Sequence, residues 1–183
     1  MTGPTRESPS QTAGPYVHIG CVPGFAGLRD MYGGQDLGAL MIVGQVTGQR
    51  IVFSGAVFDG DGAPVTDALI EIWQASPDGS FAPEGFTSWG RQPADANGAF
   101  RFETLKPGGV GAQAPHILIW IVARGIGLGL TTRAYFPDED NQGDPVLALA
   151  GARAQTLMAA RTADGYHLDI HLQGQKETVF FDV

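Results

Sequence analysis

The stretch Arg50 to Gln74, RIVFSGAVFDGDGAPVTDALIEIWQ, decides the fold. Arg50 to Phe58 is rich in β-branched and aromatic side chains, and in Ala68 to Gln74 the apolar Ile70 and Ile72 alternate with Leu69, Glu71 and Trp73. Between them, Asp59-Gly60-Asp61-Gly62 supplies turn residues that tolerate positive φ. The economical reading is strand, turn, strand.

The same grammar extends downstream. Ala99 to Thr104 alternates Phe100 and Phe102 with polar residues, His116 to Ala123 is a continuous apolar run, and Leu130 to Phe136 follows the Gly-rich Gly125 to Gly129. Tyr166 to Leu172 puts Tyr166, Leu168, Ile170 and Leu172 on one face, and Thr178 to Phe181 predicts a last strand. Asp144-Pro145 reads as an N-cap followed by Pro at the first helical position, with Gly151 interrupting any continuation to Arg161. A further short helix is expected around Leu37 to Val43. The sum is an all-β chain, a two-sheet β-sandwich with an extended N-terminal arm and short helical excursions, built on about seven strands.

At 183 residues with 43% hydrophobic residues the chain fits one domain, and Gly 27 with Pro 12 favours many turns over long helices. Residues 1–16 are polar and read as an arm; 17–48 are irregular. Residues 1–49 are therefore expected to be an arm and irregular segment, and 50–183 the sandwich proper, in a single domain. The formal net charge of -8 and the absence of a basic stripe disfavour nucleic acid and anionic membranes. The longest apolar run, Ile117 to Ala123, is far too short to span a bilayer. A single cysteine, Cys21, and an N-terminal sequence without a secretory signal make the cytoplasm the expected location.

Catalytic chemistry is sparse. His167 and His171 are four apart, a spacing that separates them by about 13 Å along a strand, and they read as solvated histidines. No nucleophile elbow surrounds any serine or Cys21. Residue by residue, the chain alone looks catalytically empty.

Several strings nevertheless occur in one order: Gln11-Thr12-Ala13-Gly14-Pro15-Tyr16, Leu69-Ile70-Glu71-Ile72-Trp73-Gln74-Ala75, Phe102-Glu103-Thr104-Leu105-Lys106-Pro107-Gly108 and Thr132-Arg133-Ala134-Tyr135-Phe136. In these the chain resembles the intradiol ring-cleaving dioxygenases over nearly its whole length. The arm, Ala114-Pro115-His116-Ile117 and the terminal Glu177 to Asp182 resemble the iron-free type of subunit in that family. The resemblance implies an oxidoreductase in a hetero-oligomer, with residues 1–49 packing on a homologous iron-bearing beta subunit that holds Fe(III) and acts on a small aromatic substrate and O2.

Family members that bind ferric iron use two tyrosinates and two imidazoles, because hard anionic oxygen donors suit Fe(III). Here His116 matches the first histidine of the family's His-x-His, Leu118 stands at the second, and Val110 aligns with a ligand tyrosine. No tyrosine lies between Tyr32 and Tyr135, and Gln113 replaces an expected arginine. His116 is thus vestigial, no metal ligand set is expected, and no catalytic residue is assigned to this chain alone. The substrate-binding expectation falls on Thr12, Gly14, Pro15 and Tyr16, which the resemblance lays along the partner's cleft, and on Arg133, whose charge would pair with a substrate carboxylate. Two other readings are a purely structural scaffold subunit and a transthyretin-like module that binds a small ligand.

Overall fold

Along Arg50–Phe58 (β1), every second side chain is buried, with Ile51, Phe53 and Val57 turned inward. A period of two forces that division, because successive Cβ atoms point to opposite faces of a sheet. His116–Val122 (β5) follows the same period throughout and Ala99–Leu105 (β4) over most of its length, while Leu69–Trp73 (β2), Trp89–Pro93 (β3) and Leu130–Tyr135 (β6) keep it only in part. Ala160–Arg161 (β7), Gly165–His167 (β8) and Ile170–His171 (β9) complete the strands of the computed structural model, which describes residues 12–182.

The strands form two sheets. One has the order β4-β1-β8-β7, with β9 also on β1; the other is β3-β2-β5-β6. Phe53, Phe100 and Phe102 from the first meet Ile70, Ile72, Ile117, Ile119 and Ile121 from the second. Each such fully buried side chain stabilises the fold by about 1.5–3 kcal/mol before ordering costs are set against it. Thr178–Phe181, expected as a strand, forms only the single bridge Thr131 to Phe181.

The Asp59 turn closes as its residues require, with Asp59 Oδ1 accepting from the backbone N–H of Asp61 and Ala63. The two flanking strands do not pair with each other, however. β1 lies between β4 and the short β8 and β9, whereas β2 lies between β3 and β5.

No helix forms at 37–43. Gly38 has φ +80, and from there the chain runs beside β3, with Arg91 N donating to Gly38 O, Thr87 N to Met41 O and Val43 N to Gly85 O. Those bonds protect an edge strand, and they carry Met41, 2% exposed, into the core. Packing of the irregular segment on its own sandwich therefore begins before Arg50. The helix near the start is instead Pro15–Cys21 (α1), with Pro at its first turn and Gly14 as N-cap.

Asp144 does what its place before Pro145 predicts. Its Oδ1 accepts from Val146 N and Leu147 N at 2.8 Å each and starts Pro145–Leu149 (α2), which gives way to a 3-10 turn at Gly151–Leu157. Asp144 is also 2% exposed, and its Oδ2 accepts from Ala114 N at 2.8 Å while Oδ1 accepts from Tyr135 Oη at 3.2 Å. One carboxylate thus ties the excursion after β6 to the loop that enters β5. Burial, which pushes its pKa up, is outweighed by the N–H donors of Leu147, Ala114 and Val146, so the carboxyl is held below its ordinary value.

Replacing Asp144 by Ala removes a cap and leaves the buried Ala114 N–H unsatisfied, a loss of about 2–4 kcal/mol in denaturant unfolding. Because the folded-state pKa lies below the unfolded one, this contribution is complete above roughly pH 4 and is lost as pH falls through the folded value. The stability difference between the wild-type chain and Asp144→Ala should accordingly narrow in acid, which unfolding curves at successive pH values measure.

Candidate functional site

The outward face of the β3-β2-β5-β6 sheet carries the chemistry, and strand register sets it out in rows. Trp89, Trp73, Leu118 and Arg133 lie side by side across four strands; Arg91, Glu71, Trp120 and Thr131 form the neighbouring row. His116 faces Tyr135 at the end of the β5–β6 pair. A cavity of about 240 Å³ opens here, with Trp73, Phe81, Val110, Gln113, His116, Leu118 and Arg133 among its walls.

Each polar group in this cavity is held by a neighbour. His116 Nδ1 lies 2.7 Å from Ala114 O and must donate to that carbonyl, which leaves Nε2 as an acceptor. Burial lowers the imidazole's pKa, the Ala114 bond opposes this, and the Arg133 charge lowers it further, so the ring is neutral near pH 7. Arg133 Nη1 donates to Gln113 Oε1 at 2.7 Å and to Tyr135 Oη at 3.4 Å. Among the described residues no carboxylate forms an ion pair with Arg133. It is a half-buried cation whose remaining donors find no acceptor among the described residues.

The donor set does not fit ferric iron. Leu118 lies opposite Arg133 and offers no donor atom, and Val110 sits in a tight loop closed by its own backbone bonds to Gln113. The one phenol near His116 is Tyr135, ring centroids 5.8 Å apart, but it donates to Asp144 and burial pushes its pKa up to about 12. A phenol so held does not supply a phenolate at neutral pH. Among the described residues no group of three or more His, Cys, Asp or Glu side chains is placed to hold a metal ion.

The arm residues lie elsewhere on the chain. Thr12 Oγ1 accepts from Gly125 N at 2.6 Å and approaches Ala123 O at 3.3 Å, at the far end of β5. His116 is seven residues back along that strand, about 23 Å away at the usual rise. Thr12 and Arg133 are therefore not brought together within one chain. Gly14 and Pro15, read from sequence as part of an extended arm, begin α1, and Tyr16 stands 84% exposed on it.

Sequence reasoning did not identify Trp73 and Phe81 as walls or Asp144 and Tyr135 as the support behind Arg133. Trp73 was legible as an outward position of β2; Phe81, in the loop after Ala75, carried no periodic signal. His167 and His171 lie on the other sheet, the first between Ser54 Oγ and Asp169 and the second stacked on Phe58.

Comparisons with known proteins agree with this geometry. A family model described as dioxygenase matches residues 34–174. The chain is 41% identical to the protocatechuate 3,4-dioxygenase alpha chain of Pseudomonas putida, with 96% of each covered, and 40% identical to that of Burkholderia cepacia, with 97% and 98% covered. It is 33% identical to the beta chain of the Burkholderia cepacia enzyme, over 82% of this chain and 81% of that one. Among solved structures, the dioxygenase domain of a dioxygenase and carbohydrate-binding fusion from Streptomyces sp. SirexAA-E superposes with a TM-score of 0.59 at 27% identity, covering 74% of this chain and 87% of that one. Catechol 1,2-dioxygenase from Pseudomonas arvilla C-1, at 23% identity and a TM-score of 0.58 over 73% of this chain and 55% of that one, shares the fold. With a family match over most of its length and alpha-chain relatives end to end, the chain belongs to the intradiol ring-cleavage dioxygenases.

Proposed function

We propose that this chain is the iron-free alpha subunit of a protocatechuate 3,4-dioxygenase and completes a cleft whose ferric ion is held by a homologous beta subunit. The observation that carries the reading is the cavity at the end of β5. Its position and a histidine remain, while the other ferric donors are replaced by Leu118 and Val110. A subunit with that cavity is fitted to position and to tune charge, and depends on a relative for the metal.

The reaction breaks the ring carbon–carbon bond between the two hydroxyl-bearing carbons of protocatechuate and places both atoms of O2 in the product, 3-carboxy-cis,cis-muconate. Iron in the beta subunit supplies the oxygen chemistry. This chain's part is binding and orientation. Arg133 offers unused guanidinium donors to the ring carboxylate, and the Thr12–Tyr16 segment lies along the beta subunit's cleft, where Gly14 permits close backbone approach and the Tyr16 phenol can donate a hydrogen bond. Nine of the large exposed apolar side chains, from Tyr16 to Val43, lie in the segment before β1 and supply the apolar surface such a partner would cover. No described helix is long and apolar enough to cross a membrane. We place the assembly in the cytoplasm, where the free Cys21 stays reduced.

Two outcomes test this. The purified chain alone should bind no stoichiometric Fe(III) and lack visible tyrosinate-to-iron absorption; a coloured iron centre in the isolated subunit would contradict the assignment. In the assembled enzyme, Arg133→Leu and Tyr16→Phe should lower kcat/KM for protocatechuate while iron content and oligomer size stay constant. A desolvated charge-assisted hydrogen bond contributes about 1.5–3 kcal/mol, roughly ten- to a hundred-fold. The Arg133 loss should shrink for catechols without a carboxylate. Equal losses on both substrates would mark damage to the iron's surroundings, and no loss on either would leave the chain a scaffold.

A further inference from the structure

α1 has no side-chain cap of its own, yet one end of it is gripped by the sandwich. Arg91 Nη1 donates to Cys21 O at 3.3 Å, the carbonyl that ends the helix. The guanidinium is fixed from behind, since Nε and Nη2 both reach Glu71 Oε1, at 2.8 and 2.7 Å, and its plane lies 4.9 Å from the Trp89 ring centroid. Trp89 Nε1 donates in turn to Glu71 Oε2 at 3.2 Å. Arg91 and Glu71 are directly opposite on β3 and β2 and are only 18% and 12% exposed. Just past the grip, Val22 is buried at 1% exposure and Gly24 N donates to Asp36 Oδ1 at 2.7 Å.

From this anchor α1 runs back to Tyr16 in five residues, about 7.5 Å of helix. A helix that short transmits a displacement of its end almost undiminished. Thr12 is pinned separately to Gly125 N. Gly14, Pro15 and Tyr16 are therefore suspended between two fixed points, one of which is a guanidinium held by a carboxylate and an indole.

We propose that Arg91, locked by Glu71 and Trp89, is a positioning residue for ring cleavage: it sets where the Gly14–Tyr16 segment stands in the beta subunit's cleft. The proposal rests on the arm reading above. Lysine cannot reproduce the device, because a single ammonium cannot bridge Glu71 and Cys21 O while stacking on Trp89.

The test uses the assembled enzyme with Arg91→Met, Arg91→Lys and Glu71→Gln, and a fourth assembly lacking residues 1–16. Hydrogen exchange at the α1 amides reports the anchor directly, through the Val22 N to His18 O bond among others. In Arg91→Met, α1 exchange should quicken and KM for protocatechuate should rise about ten-fold, with kcat, iron content and the visible iron absorption little changed. Glu71→Gln should show the same pattern more weakly, and Arg91→Lys should recover part of it. Faster exchange with an unchanged KM in all three variants would overturn the proposal. If the deletion raises KM and the Arg91 variants do not, the arm reading stands and this inference alone fails; if the deletion also leaves KM unchanged, both fall.

Discussion

The strict two-residue period of β5 is the constraint on which the rest depends. Ile117, Ile119 and Ile121 are fully buried between the sheets, and that fixes His116, Leu118 and Trp120 on the opposite face. A one-residue slip would exchange the two sets, putting a histidine and a tryptophan into the core and three isoleucines into water. The core thus holds the site in register, and any side chain at 118 must face the cavity. Leucine there removes a metal donor without touching the packing that positions it.

How far this was legible in the sequence varies with the element. β1, β4, β5 and β6 lie close to where the sequence places them. β3 was missed because its inward position is Gly90, where a Cβ would meet Met41 Sδ at 2.8 Å and Phe102 Cδ1 at 3.0 Å. The strand has no apolar residue at its inward centre because neighbours already fill the space, so periodicity is silent. The expected strand from Tyr166 to Leu172 keeps its buried face but divides into β8 and β9. Between them Asp169 Oδ1 accepts from Ala56 N, so that a side chain replaces a ladder carbonyl. The helix expected at 37–43 is cancelled by tertiary bonds along β3, which local propensity cannot see.

The site was legible in part for a related reason. The missing donors could be read directly, since Leu118 and Val110 are chemical statements in themselves. The supports could not, because Asp144 lies far along the chain from Ala114 and only the fold brings one carboxylate to that amide, to Tyr135 and to its own helix. The arm is the opposite case. Its string pointed to a cleft, while the structure adds that both of its anchors, Gly125 and Arg91, lie in the sandwich of the same chain.

Charge explains how a cavity without a ferric donor set remains orderly. Two phenolates around a ferric ion balance most of its charge, and removing all three together leaves a site close to neutral, whereas removing the ion alone would leave buried anions unpaired. In this chain the exchange is complete: Arg133 provides one positive charge, Asp144 one negative charge, and Tyr135 stands protonated between them, bonded to each. His116 stays neutral because burial and Arg133 both oppose a second cation. Asp144 is engaged by three backbone amides besides Tyr135, so it spends little of its charge on the guanidinium. Arg133 is left with an electrostatic surplus on the open side of the sheet.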